Sequence, residues 1–168
     1  YTLNFWTENG TSLAVALSQG STTGTIPVGG RATIQTAGVR DTVSGWAEVV
    51  SDQRIGGTAI FRVTDQNQEA AVPLLSNGGY KVHIPFDTSS SVAIGIALVN
   101  PSQWAATQVN VQMRDQQGNR LPLTINLLGA FSTTEVSSLT LQPHSHVAFN
   151  ARPLNATGPV SGVIEFTS

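Results

Sequence analysis

Gln108-Val109-Asn110-Val111-Gln112-Met113 leads through Asp115-Gln116-Gln117-Gly118-Asn119 into Leu121-Pro122-Leu123-Thr124-Ile125-Asn126-Leu127. Apolar and polar residues alternate on both sides of an Asp/Asn/Gly turn. A period of two marks strands with one buried face, and Gly118 and the amides supply a reversal that tolerates positive φ. Tyr1-Thr2-Leu3-Asn4-Phe5-Trp6-Thr7 alternates likewise before Glu8-Asn9-Gly10. Further strands are expected at Leu13–Leu17, Ala32–Thr36, Trp46–Val50, Thr58–Val63, Ala70–Leu74, Tyr80–Ile84, Val92–Val99, Ser138–Leu141, His146–Phe149 and Val163–Phe166. Turn signals such as Val28-Gly29-Gly30 and Ser76-Asn77-Gly78-Gly79 separate them, and no stretch carries a capped helical stripe. Short strands at about twelve-residue spacing predict an all-β sandwich or barrel.

The same pattern occurs twice. Leu3-Asn4-Phe5-Trp6-Thr7-Glu8-Asn9-Gly10 aligns with Val111-Gln112-Met113-Arg114-Asp115-Gln116-Gln117-Gly118, and Leu13, Val15 and Leu17 fall on Leu121, Leu123 and Ile125. Thr25-Ile26-Pro27-Val28-Gly29-Gly30-Arg31-Ala32 falls on Thr140-Leu141-Gln142-Pro143-His144-Ser145-His146-Val147. Ser44-Gly45-Trp46-Ala47-Glu48-Val49-Val50-Ser51 falls on Ser161-Gly162-Val163-Ile164-Glu165-Phe166-Thr167-Ser168. Four anchors in one order predict a duplication: two related immunoglobulin-like antiparallel β-sandwich units, 1–78 and 79–168, split near Gly78-Gly79. The second copy is preceded by Tyr80–Ala106, with Ile84-Pro85-Phe86-Asp87 and Asn100-Pro101; the first opens already inside the matching hairpin. The first unit is therefore expected to lack its leading strands and to present an open edge. An upstream segment, another part of this chain or a neighbour's strand would fill it.

Composition limits the functional classes. The 168 residues are 40% hydrophobic and only 11% charged, with net charge −2, one lysine (Lys81) and no cysteine. A basic nucleic-acid footprint, a polybasic membrane anchor and a disordered acidic tail are all at odds with this balance. No apolar run reaches the roughly 18 residues that span a bilayer. Without cysteine there is neither a disulfide nor a thiolate site. Low charge with abundant Ser and Thr predicts a secreted or cell-surface setting. The start at Tyr1, without Met or a leader, reads as a processed mature chain or a trimmed fragment.

Gly45-Trp46-Ala47-Glu48-Val49-Val50-Ser51, Ile55-Gly56-Gly57-Thr58-Ala59-Ile60-Phe61-Arg62, Ile84-Pro85-Phe86-Asp87 and Gly95-Ile96-Ala97-Leu98-Val99-Asn100-Pro101-Ser102 resemble a family of functionally uncharacterised secreted bacterial domains. These occur as tandem immunoglobulin-like β modules of surface or extracellular proteins. The likeness runs from Gly24 onward through the terminal Ser161–Ser168 stretch. It implies fold and setting and brings no catalytic residue. Family members usually carry a strand and an Asn-Pro turn ahead of the stretch equivalent to Tyr1, and this chain departs there.

Chemistry-bearing residues are sparse. Ten carboxylates (Glu8, Asp41, Glu48, Asp52, Asp65, Glu69, Asp87, Asp115, Glu135, Glu165) fall mostly in turns, and no glycosidase pair stands out. Glu48 and Glu165 occupy equivalent repeat positions, which predicts a structural role. His144-Ser145-His146 would set two imidazoles on one strand face as half a metal site, but His83 is distant and no third ligand is evident. Asp65-Gln66-Asn67-Gln68-Glu69 lacks the glycine spacing of a calcium loop. With no nucleophile elbow or phosphate loop, no catalytic residue, cofactor or metal is assigned.

Aromatic residues are the stronger binding signal. Trp46 is expected in the core. Trp6 lies on the polar phase of its strand, which predicts an outward indole, and Trp104 follows the Asn100-Pro101 turn. Trp6, Trp104 and Tyr80 are the candidate partner or glycan contacts. Asn9-Gly10-Thr11 and Asn155-Ala156-Thr157 match the glycosylation pattern, making Asn9 and Asn155 candidate acceptors; the Ser/Thr clusters at 21–23, 89–91 and 132–134 are candidates for O-linked sugar. The expected function is a non-catalytic extracellular structural protein that assembles through strand edges and apolar faces, as a homo-oligomer or polymer such as a filament or surface-layer subunit. The alternative is a carbohydrate-binding or adhesive module of a larger secreted protein. Neither nucleic-acid binding nor membrane insertion is expected.

Overall fold

The computed structural model describes residues 1–38, 43–63, 67–75, 79–89, 94–127 and 130–168. Asp41, Asp65, Gln66, Val92, the Ser90-Ser91 pair and the Ser76-Asn77-Gly78 turn with its unit boundary lie outside them.

Every helix or strand element among the described residues is a strand, as the period-two pattern requires. In chain order they are β1 (Thr2–Thr7), β2 (Leu17–Gln19), β3 (Gln35–Thr36), β4 (Gly45–Val50), β5 (Thr58–Val63), β6 (Gln68–Pro73), β7 (Lys81–Asp87), β8 (Ile94–Val99), β9 (Thr107–Asp115), β10 (Arg120–Leu121), β11 (Leu123–Asn126), β12 (Ser138–Leu141), β13 (His146–Pro153) and β14 (Ser161–Thr167). From β7 onward they form two antiparallel sheets: β10-β9-β14-β7 with β12 also on β9, and β11-β13-β8. Inward residues of one sheet (Val109, Val111, Met113, Ile164, Phe166, Phe86) meet those of the other (Leu123, Ile125, Phe149, Ala151, Ile96) in one buried cluster. The rings of Phe149 and Phe166 lie 6.4 Å apart across it. This is a β-sandwich, each strand placing alternate side chains inside.

At the open end of β8 the core is closed by a buried asparagine. The Asn100 amide donates to the carbonyls of Ala105 (2.8 Å), Leu141 (3.2 Å) and Gln142 (3.1 Å), and its oxygen accepts from Ser102 N (3.1 Å). One 4%-exposed side chain thus serves loop backbone that would otherwise be orphaned.

Residues 1–50 follow the same wiring. β1 pairs β4 with Leu3 opposite Val49 and Thr7 opposite Gly45; β9 pairs β14 with Val111 opposite Phe166 and Asp115 opposite Gly162. The turn bonds match: Thr7 N to Thr11 O and Gly10 N to Thr7 O, against Asp115 N to Asn119 O and Gly118 N to Asp115 O. Leu3 N donates to Thr22 O as Val111 N donates to Ser137 O, and Gly30 N to Pro27 O as Ser145 N to Gln142 O. A Cβ on Gly45 would lie 2.1 Å from Trp6 O, and one on Gly162 1.9 Å from Arg114 O. The backbones approach too closely there for any side chain, so glycine recurs at both positions.

Two expected strands are shorter than the sequence indicates. Leu13–Leu17 contributes only Leu17, the start of β2, with an isolated bridge just ahead of it at Ser12, and Ala32–Thr36 contributes only β3. The physical reason is partnership. β13, the counterpart of residues 31–38, runs eight residues because β8 pairs its first six positions. No described strand pairs residues 31–34, and alternation alone makes no ladder. Among the described residues the β5–β6 hairpin pairs only with itself, and it leaves Ile60, Phe61 and Val72 exposed.

Candidate interaction surface

Two features of residues 1–50 distinguish this half of the chain. The first is an unsealed apolar face. Leu3, Phe5, Leu13, Val15, Leu17 and Ile34 take the positions that Val111, Met113, Leu121, Leu123, Ile125 and Phe149 hold in the sandwich, yet all are only half-buried. Every residue of the buried hydrophobic cluster lies between Phe86 and Phe166. Ile164 is wholly enclosed, while its counterpart Ala47 is exposed. An open groove of about 510 Å³ runs along Leu3, Phe5, Trp6, Leu13 and Val15. The strands that seal the sandwich are β7, on the edge of β14, and β8, on the edge of β13. Among the described residues β4 pairs only β1 and β3 only β2, so the matching edges carry no strand.

The second feature is an aromatic clasp joining the halves. Trp6 stacks on Trp46 at 6.3 Å and packs against His144 at 4.1 Å. Trp46 Nε1 donates to His144 O at 2.8 Å, and His146 N donates to Glu8 O at 3.0 Å. Gly10 admits the β12–β13 turn: a Cβ there would stand 2.3 Å from Pro143 O. His144 holds a positive φ of 53°, as does its repeat counterpart Gly29 at 74°. Burial pushes the His146 imidazole below the ordinary value, against a smaller opposing pull from Glu8. Trp6 Nε1 and His146 Nδ1 are buried without a hydrogen-bond partner.

These contacts correct the outward expectation for Trp6. The residue does sit on the solvent phase of β1, but the turn of the second half covers that face. Trp46 likewise fills the junction between halves. Trp104 and Tyr80 are exposed, at 85% and 84%. Tyr80 immediately precedes β7, and Trp104 lies in the loop between β8 and β9. Asn9 is exposed in the β1 turn, and Asn155 is exposed at positive φ.

The titratable residues fall into structural pairings. His144 sits in the clasp turn and His146 opens β13, while His83 lies on β7 opposite Glu165 of β14 and bonds its Oε2 at 2.8 Å. Lys81 meets the same oxygen at 2.9 Å. Hydrogen bonds from Lys81, then His83, hold the Glu165 carboxyl below the ordinary carboxylate value. The counterpart Glu48 accepts from Asn4 at 3.4 Å in the same register that sets Glu165 opposite Gln112. Asp115 accepts from the Asn119 side chain and from the Gln117 and Asn119 amides, which lowers its pKa and fixes the turn. Among the described residues no three His, Cys, Asp or Glu gather to hold a metal ion, and no helix is long and apolar enough to cross a membrane.

The clasp and the Asn100 clamp were not identified by sequence reasoning. Trp6 signalled the clasp only as a candidate contact and Trp46 only as a core residue, since their covering turn lies 98 residues beyond Trp46. No family model, curated protein or solved structure matches the chain.

Proposed function

We propose that the chain is a non-catalytic structural module of an extracellular or cell-surface protein, built of two related immunoglobulin-like units, which joins further polypeptide through free strand edges and apolar faces. One observation carries this reading: β1 pairs β4 in the register that β9 and β14 keep in the sealed sandwich, yet among the described residues the outer edges of β3 and β4 carry no strand beside a half-buried apolar face. Free edges recruit strands, because each added residue pair brings backbone bonds and buried apolar area together. The low charge offers little repulsion against such association. A filament or surface-layer subunit is the form this takes when a neighbour supplies the strands. Light scattering coupled to size exclusion, over a dilution series with and without strand peptides, tests the reading. Mass above the monomer, or peptide uptake, is expected. A chain that stays monomeric at every concentration and takes up no peptide would overturn it.

A second reading is favoured by Trp104 and Tyr80, two strongly exposed aromatic residues. Such a pair suits stacking on sugar rings and would make the chain a carbohydrate-binding or adhesive module. Calorimetric titration with oligosaccharides, compared between the native chain and Trp104→Ala, tests it.

A further inference from the structure

We infer that the open face of residues 1–50 is an acceptor site for a β7–β8-type strand pair carried by polypeptide outside residues 1–168. This deepens the strand-addition reading above and rests on it. The chain itself shows what the site takes. In the sandwich, β8 lays Ile94, Ile96 and Leu98 against the core and pairs six positions of β13, while β7 pairs seven positions of β14. Asn100 N donates to Ser145 O, which sets the phase of the β8–β13 ladder: Val147, Phe149 and Ala151 turn their backbone groups toward Leu98, Ile96 and Ile94. Their counterparts are Ala32, Ile34 and Thr36. On the other side, β3 already faces β2: Ala37 N donates to Ala16 O. Alternation then points the Ala32, Ile34 and Thr36 amides at the empty edge. The occupant is thus specified in register and in side-chain phase: an extended segment with aliphatic residues at alternate positions along β3, joined to a second strand along β4.

Two other occupants fit worse. A second copy's own β7 and β8 are sealed in its sandwich, where Phe86 and Ile96 are each 4% exposed, so donating them would open that core. The β5–β6 hairpin is paired with itself over six positions, with an Arg62–Glu69 pair across it. The site needs strands in opposite sheets, as β7 and β8 are, and a self-paired hairpin cannot divide between them.

Hydrogen exchange of the full chain, read over residues 31–36 and 45–50, tests the inference. The probe is a synthetic peptide of residues 80–101. Its control exchanges Ile94 with Gly95 and Ile96 with Ala97, reversing the phase at unchanged composition. The native peptide is expected to slow exchange in both segments at least tenfold, and the control to leave them unchanged. Ala32→Pro should abolish the slowing at 31–36 without moving the unfolding midpoint of the free chain, because Ala32 is exposed and outside any strand. Ala47→Lys, which sets a charge on the exposed inner position, should weaken uptake independently. If the peptide has no effect but the segments slow as chain concentration rises, the occupant is a second copy; the inference falls and the strand-addition reading stands. If neither peptide nor concentration slows them, or if they are slow already in dilute chain, both fall.

Discussion

Ile164 and Ala47 hold the same place in the two halves, and their environments differ most. Ile164 is 0% exposed between the sheets, whereas Ala47 is exposed. Ile164→Ala removes three buried carbons, about 2.4 kcal/mol at ~0.8 kcal/mol per group. The cavity left in a close-packed interior raises the loss to about 3–4 kcal/mol. Ala47→Ile adds the same carbons to the other half. In a sealed sandwich overpacking would cost about 1–3 kcal/mol. Onto an unsealed face the change should stay within about 0.5 kcal/mol of neutral, as surface substitutions do. Urea unfolding separates the two outcomes, followed by far-ultraviolet dichroism for the sandwich and by tryptophan fluorescence for the clasp region. A loss above about 1 kcal/mol for Ala47→Ile, the range expected of a closed core, would refute the reasoning.

Three further predictions use other parts of the molecule. Asn100→Ala should cost about 3 kcal/mol in urea unfolding, since it strands buried carbonyls that each cost about 1–3 kcal/mol when unpaired. Trp46→Phe keeps ring packing but removes the bond to His144 O, and should lower stability by about 1 kcal/mol in fluorescence-detected unfolding. Glu165 has a folded pKa below its ordinary value, so its stabilisation is present above about pH 4.5 and lost as pH falls through the folded value. Melting temperature measured from neutral to acid pH should therefore drop less steeply in Glu165→Gln than in the native chain.

Much of this fold was legible because its strands are antiparallel with one buried face. Val109, Val111 and Met113 are buried while Gln108, Asn110 and Gln112 are exposed, as their alternation indicates. The matching turn bonds and close-approach glycines of the β1–β4 and β9–β14 pairs go with turn glycines and apolar positions that recur in order along the sequence. What was illegible depends on distant partners. Ala32–Thr36 has the composition of a strand, yet without a neighbour equivalent to β8 its first residues have no ladder to join. Trp6 reads as outward from local phase, and is outward on its own sheet; only the fold brings His144 over it. Tyr80 and Trp104 are exposed, but nothing local to either encodes a ligand.

Free edges on β3 and β4, as the acceptor proposal requires, leave their outward amides open to solvent exchange. Amide exchange in the dilute native chain tests the proposal most directly, comparing residues 31–34 with their counterparts 146–149. Protection is expected at Val147 and Phe149, whose amides face β8, and near-unprotected exchange at Ala32 and Ile34. Equal protection of the two segments would contradict the proposal.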